Sequence, residues 1–306
     1  MINIFLKVVT IFMFILVGYI LKRMRIINEN VEKKISFLSF NLLLPLVVAL
    51  NIIFSDFSII YIHFLSTFFT SGIVILISSL LIGKYTFGLN GKDASVFGFS
   101  ACYGNLVSIG VPVIFAVIGP ENSIPFILLA VLQGIVFIPL TELLIHQLGD
   151  NRKSLNNLFR GVFFNSLIIG SFSGFILHYL NVSIHPDLKT FLVPITVFSL
   201  PAMLISVGMT IAGIRISYSL KKIYILTIIK NIIFPLITFI NAKYIFNLNQ
   251  NLIFMATFAA ALPSGIQTYY MSYRYSSLKT IIPTNVVLST LFSVLSLSVV
   301  LMLFGY

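Results

Sequence analysis

Apolar runs of about twenty residues, the length a helix needs to cross the hydrocarbon core of a bilayer, recur ten times along this chain. They fall at 3–21, 36–54, 61–83, 94–118, 123–147, 160–180, 190–213, 223–243, 251–273 and 281–304. In lipid every backbone polar group must be bonded within the protein, so such runs are helices. The expected fold is therefore an all-α membrane protein with ten transmembrane helices. The chain is 58% hydrophobic and only 9% charged, against about 25% charged residues in soluble domains. No stretch between the runs is long enough to form a soluble domain.

The net charge of +11 would suggest nucleic acid in a soluble chain. Here the basic residues sort by side instead. The connections 22–35, 84–93, 148–160, 214–222 and 274–280 hold 15 of the 19 Lys and Arg. The opposite connections hold Lys7, Lys189 and Lys243, and Lys230 falls within the eighth run. By the positive-inside rule the basic connections are cytoplasmic and both termini extracytoplasmic. An even number of spans likewise requires the termini to share a side. The expected partner surface is a lipid bilayer, the plasma membrane, with no nucleic acid. The first run is followed by Lys22, Arg23 and Arg25 and has no small-residue cleavage site, so it reads as a retained helix. Cys102 is the single cysteine; it allows no intramolecular disulfide and no metal cluster.

The hydrophilic break at Gly149–Ser154 divides the chain into a first five-helix unit (1–148), a connecting loop (149–159) and a second unit (160–306). With five spans each, the second unit enters the membrane inverted relative to the first, the plan of an inverted-repeat transporter. The halves also correspond in their helix breakers. Pro45 lies in the second span and Pro201 in the seventh. The fourth carries Gly104-Asn105-Leu106-Val107-Ser108-Ile109-Gly110-Val111-Pro112, and the ninth carries Ala261-Leu262-Pro263-Ser264-Gly265. A proline within a helix removes one backbone bond and costs about 3 kcal/mol. In lipid, unwound backbone persists only where it is buried or lines a cavity. Because the two spans run oppositely, their interruptions are expected to cross. The half-helices would resume near Gly110 and near Ser264, with free N–H groups and positive dipole ends turned to one anion site.

The stretches Asn41–Pro45, Asn105–Pro112, Pro201–Gly208, Ala261–Gly265 and Ser289–Ser293 together resemble the auxin efflux carrier family over essentially the whole chain. The resemblance implies a five-plus-five inverted repeat with crossed, broken fourth and ninth helices, and rocking of one helix group against another. It implies a small organic anion as cargo without naming it, and a homodimer. It makes Asn105 the polar residue of the first interruption, and Pro263 with Ser264 that of the second. The long central hydrophilic loop of plant members is absent here.

The candidate substrate-binding residues are thus Asn41, Asn105, Ser108, Pro112, Pro263, Ser264 and Gln267. Lys230 is expected to extend its stem toward the cytoplasmic face; the sharper alternative is a counter-charge for the anion. Glu142 and His146, four apart on one helix face, read as an interfacial pair. Tyr269, Tyr270, Tyr273 and Tyr275 read as interfacial anchors, and Gly170 with Gly174 as a close-packing seam. His63, His178 and His185 lack ligand spacing. No metal or cofactor is expected, and coupling to sodium or protons stays open, as does a sodium-coupled carrier of an amphipathic solute. An enzyme is disfavoured because Glu142 is the only acid within a span. A channel is disfavoured because two unequal half-sites make no ring.

Overall fold

A computed structural model describes residues 2–53, 61–119, 122–149, 166–180, 199, 201–214, 216 and 219–306. Residues 150–159 of the connecting loop, His185 and Lys189 lie outside these. Every named element among the described residues is helical. In order they are α1 (Ile2–Arg23), α2 (Glu29–Phe37), α3 (Leu44–Ile53), α4 (Ile62–Leu81), α5 (Gly91–Cys102), α6 (Val111–Ile118), α7 (Ile124–Leu148) and α8 (Ser166–Tyr179). There follow α9 (Pro201–Ala212), α10 (Leu220–Ile245), α11 (Gln250–Ala261), α12 (Ile266–Tyr275) and α13 (Ile281–Phe304). Among the described residues four helices are long and apolar enough to cross a membrane: Ile62–Thr86, Ile124–Leu148, Leu220–Ile245 and Ile281–Phe304. Their outward stripes are apolar. On α10, Ile228, Ile232, Leu236 and Ile240 repeat every four residues and are all exposed. Such continuous apolar faces suit lipid as solvent.

Three prolines sit at one kind of joint. Pro45, Pro112 and Pro235 are each the second residue after a π turn, at Leu38–Leu43, Leu106–Gly110 and Ile229–Ile233. A proline ring clashes with the carbonyl four residues back. That carbonyl belongs to Asn41, Ser108 and Asn231 respectively, inside the wider turn, where the register leaves room for the ring. The chain thus bends at these points without breaking.

A corner of the fold occurs twice. Lys84-Tyr85-x-Phe87-x-Leu89-Asn90 recurs as Lys243-Tyr244-x-Phe246-x-Leu248-Asn249. Both copies follow π turns, Ile82–Thr86 and Asn241–Ile245, that end long helices. Both turn through a left-handed residue, Gly88 (φ 61°) and Asn247 (φ 47°), the two residue types that tolerate that region best. Leu89 N–H donates to the Gly83 carbonyl (3.1 Å), and Leu248 N–H to that of Ala242 (3.0 Å). Asn90 and Asn249 then cap α5 and α11 by accepting from Asp93 N–H (2.9 Å) and Leu252 N–H (3.0 Å).

Close backbone approach also comes in pairs. A Cβ added to Gly18 would lie 2.0 Å from the Ile205 carbonyl oxygen, and one on Gly208 would lie 1.9 Å from that of Ile15, so α1 and α9 touch through glycine. Likewise Gly170 lies against Pro45 and Gly174 against Ala49, joining α8 to α3. Buried around the middle of α5 and α11 are Phe68, Phe97, Phe99, Phe126, Phe234, Phe254 and Phe258, which exclude water from the polar centre described next.

Candidate functional site

α5 ends at Cys102 and α11 at Ala261, and in both cases the chain becomes extended before a helix resumes. The two extended pieces pair as a single antiparallel bridge, Gly104 with Ser264. Asn105 N–H donates to the Pro263 carbonyl (2.8 Å), and Gly265 N–H donates to that of Tyr103 (2.9 Å). Each interruption satisfies the other's backbone, the solution required where no water is at hand.

The remaining groups at the crossing are met by side chains. Gln133 of α7 clamps Gly104, whose N–H donates to Oε1 (3.1 Å) and whose carbonyl accepts from Nε2 (2.9 Å). Ser264 is fully buried. Its hydroxyl donates to the Ser100 carbonyl (2.8 Å) and accepts from Asn285 Nδ2 (2.9 Å), and its N–H donates to Ser289 Oγ (3.0 Å). Thr227 Oγ donates to Asn285 Oδ1 (3.0 Å), and Ser296 Oγ donates to the Ala261 carbonyl (3.0 Å). The hydroxyl and amide of Ser264 are thus turned into the protein and hold the crossing together.

The helices resume earlier and later than expected. After the first interruption the helix begins at Leu106, not near Gly110, and after the second at Ile266, two residues past Ser264. Asn105 is the cause of the first shift. Its Oδ1 accepts from Ser108 N–H (3.3 Å) and its carbonyl from Gly110 N–H (3.0 Å), replacing the acceptors that an earlier turn would supply. Among the described residues Asn105 Nδ2 and Ser108 Oγ make no hydrogen bond, although both residues are largely buried.

Of the sequence candidates, Asn105, Ser108, Pro263 and Ser264 come together at the crossing. Pro112 is buried just beyond it, in the first turn of α6. Gln267 is exposed in the first turn of α12, and Asn41 is exposed in the π turn of a different helix. Lys230 requires a correction. It does not reach the surface: it is 0% exposed, and Nζ donates to the Ala260 carbonyl (2.7 Å) with the Phe234 ring centroid at 4.8 Å. Two physical causes turn it inward. The π turn at Ile229–Ile233 rotates both Lys230 and Asn231 toward the core, and the interrupted end of α11 offers a carbonyl with no intrahelical partner.

At the end of the bundle that carries Arg274, two contacts tie α12 to its neighbours. Tyr275 OH donates to Glu142 Oε1 (2.9 Å), with Arg274 Nη1 3.8 Å from the same oxygen and the His146 ring against Tyr275. Tyr275 is therefore a tether and more than an interfacial anchor. Asp93, in the connection before the fourth span, accepts from Ser276 Oγ (2.7 Å), Ser277 N (2.7 Å), Ser277 Oγ (2.5 Å) and Asn90 Nδ2 (3.1 Å). Burial raises its carboxyl's proton affinity, but these donors outweigh that and hold it below the usual carboxylate range. Among the described residues no group of three or more His, Cys, Asp or Glu is placed to hold a metal.

Gln133, Asn285, Ser289, Ser100 and Asn231 are absent from the sequence candidates. Gln133 and Asn285 had a usable signal, since each is a carboxamide within an apolar run.

No curated protein matches the chain closely enough to serve as a relative. Residues 3–301 match the family described as membrane transport protein. A chain whose interrupted helices meet back to back in an apolar body, matched over nearly its full length, belongs to that family, the membrane transport proteins that include the auxin efflux carriers, and is a membrane transporter.

Proposed function

We propose that this transporter is a secondary carrier of a small organic anion, of the mono- or dicarboxylate class, working by alternating access across the plasma membrane. Ten spans form two inverted five-helix units, 1–148 and 160–306, joined by the cytoplasmic loop 149–159, with both termini outside. Three pairs of features support this plan. The duplicated corner precedes both interrupted helices. The α1–α9 and α8–α3 glycine contacts correspond if the first and second spans are equivalent to the sixth and seventh. The bridge itself joins the corresponding interruptions of the two halves, one residue out of exact register.

The observation that carries the anion reading is the donor set on the first side of the crossing. Asn105 Nδ2 and Ser108 Oγ are uncommitted among the described residues. They lie beside the leading N–H groups of the helix Leu106–Ile118, at Leu106 and Val107, which precede any intrahelical acceptor. A helix start carries roughly half a positive charge and favours a carboxylate. Ser264 serves the site indirectly, by holding Pro263 and Gly265 against Asn105 and Tyr103. Pairing of two copies as a homodimer fits this plan but plays no part in the donor set.

Counterflow of radiolabelled dicarboxylates in proteoliposomes, with sodium and proton gradients varied, tests the reading. Uptake that depends on Asn105 is expected. Wild-type vesicles that move no mono- or dicarboxylate under any gradient overturn it.

A further inference from the structure

Lys230 is a buried basic group for which the structure supplies little. An ammonium has three donors, and among the described residues only one is used, on the Ala260 carbonyl. No carboxylate lies within ion-pair distance of it among the described residues. The elements packed on α10 explain why. α11 and α13 contain no titratable side chain, and α4 has only His63 at its first turn. α5 has Lys92 and Asp93 at its far end, with Asp93 committed to Ser276 and Ser277, and Cys102 at its near end. On α10 itself, Lys221, Lys222, Tyr224, Lys243 and Tyr244 lie toward the helix ends. Two more polar atoms in the region, Asn231 Oδ1 and Thr257 Oγ1, are buried without a hydrogen bond among the described residues.

Burying an ion with no partner is costly, and such groups commonly resolve the cost by exchanging a proton. We propose that Lys230 carries a coupling proton, so that the carrier moves its anion together with H⁺. The neutral amine takes one proton from water as the anion arrives, becomes an ammonium, and returns that proton to water on the far side when the anion leaves. One N–H bond forms as an O–H bond of hydronium breaks, the reverse occurs on release, and no other covalent bond changes. The anion supplies the negative charge that no side chain provides. The position suits the task, because Ala260 lies three residues before Pro263, so gain or loss of charge at Nζ acts on the end of the interrupted helix. This inference rests on the anion reading above. It differs from carboxylate-relay coupling, for which the spans lack the acids.

Linkage requires that protonation and anion binding strengthen each other by the same factor. Above the pH at which the empty carrier takes its proton, apparent anion affinity should fall about tenfold per pH unit. The test uses full-length protein and radiolabelled L-malate. In wild-type proteoliposomes an inward proton gradient should accelerate uptake, with one proton entering per L-malate as read by an internal pH dye. In Lys230→Met the ratio of uptake with and without the gradient should fall to one. Because that variant can fail to fold, a second measurement follows the Nζ resonances of ¹⁵N-lysine-labelled wild-type protein in nanodiscs, with Lys230 assigned by its loss in Lys230→Arg. L-malate should move the titration of Lys230 to higher pH. A gradient response kept by Lys230→Met overturns the proposal. So does a Lys230 signal that holds one protonation state across the neutral range with and without L-malate. Wild-type vesicles that move no L-malate count against the anion reading instead, and the resonance titration then still decides whether Lys230 exchanges a proton.

Discussion

Replacing Gln133 by leucine should loosen the crossing without touching either interrupted helix. The substitution keeps side-chain volume close to constant but removes two hydrogen bonds to Gly104, at 3.1 and 2.9 Å. Both Gly104 groups are buried, and among the described residues neither has a second partner: the bridge bonds belong to Asn105 N–H and Gly265 N–H. Leaving a buried donor or acceptor unmet costs about 1–3 kcal/mol, so the pair should cost roughly 2–6 kcal/mol. At about 2 °C per kcal/mol for a chain of this size, the thermal midpoint in detergent should fall by about 4–12 °C. Amide exchange at Gly104 should quicken, since its N–H loses its only acceptor. Gln147→Leu, on the same helix at an exposed position, controls for lost polarity and should stay within about 0.5 kcal/mol. If Gln133→Leu melts with the wild type and Gly104 exchange is unchanged, the carboxamide does not hold the interruption and the reasoning fails.

Three further perturbations separate the roles assigned here. Asn105→Ser keeps a capping oxygen while Asn105→Ala does not, so only the alanine should lose about 1 kcal/mol of stability; both lose Nδ2, and initial anion flux should drop roughly ten- to hundredfold in each. Gly265 has ordinary extended backbone (φ −73°, ψ 150°), so Gly265→Ala should act by crowding alone: its Cβ would sit 2.7 Å from Tyr103 Cδ1 and 3.0 Å from the Gly104 oxygen, costing about 1–3 kcal/mol, with Tyr103→Leu restoring part of the lost midpoint. The Asp93 clamp should show in the pH dependence of stability. Its folded-state proton affinity is depressed, so its contribution is complete above the ordinary carboxylate range and lost as pH falls through the lower, folded value. Asp93→Asn should flatten that acid limb in a melt series, and an unchanged limb would remove Asp93 as its source.

Much of the architecture is legible from the residues because lipid leaves the chain few options. A run such as 281–304 must be helical, and Pro263 or Gly104 in mid-span must mark backbone that is satisfied by something else. Finer points are not legible for identifiable reasons. Helix resumption at Leu106 depends on which way the Asn105 carboxamide turns, a side-chain choice with no periodic signature. The depth of Lys230 depends on a π turn that adds a residue to the register, so that counting from the start of the span at 1.5 Å per residue misplaces its stem. The inward turn of the Ser264 hydroxyl is hidden for a similar reason: hydroxyls in lipid seek carbonyls, and Ser100 provides one. The repeated Lys-Tyr-x-Phe-x-Leu-Asn corner is written plainly in the sequence, yet its two copies fall on connections of opposite charge character and escape a reading organised by charge.

The central claim is that the Gly104–Ser264 crossing is reached in turn from the two sides of the membrane. Cys102 is buried and is the only cysteine, so Cys102→Ser gives a silent background for Val107→Cys, a partly exposed position two residues past Asn105. Labelling by a membrane-impermeant thiol reagent, applied separately to each face of oriented vesicles, should succeed from both faces and be slowed from both by a transported dicarboxylate. Labelling confined to one face under every gradient, or unaffected by any anion, would contradict it.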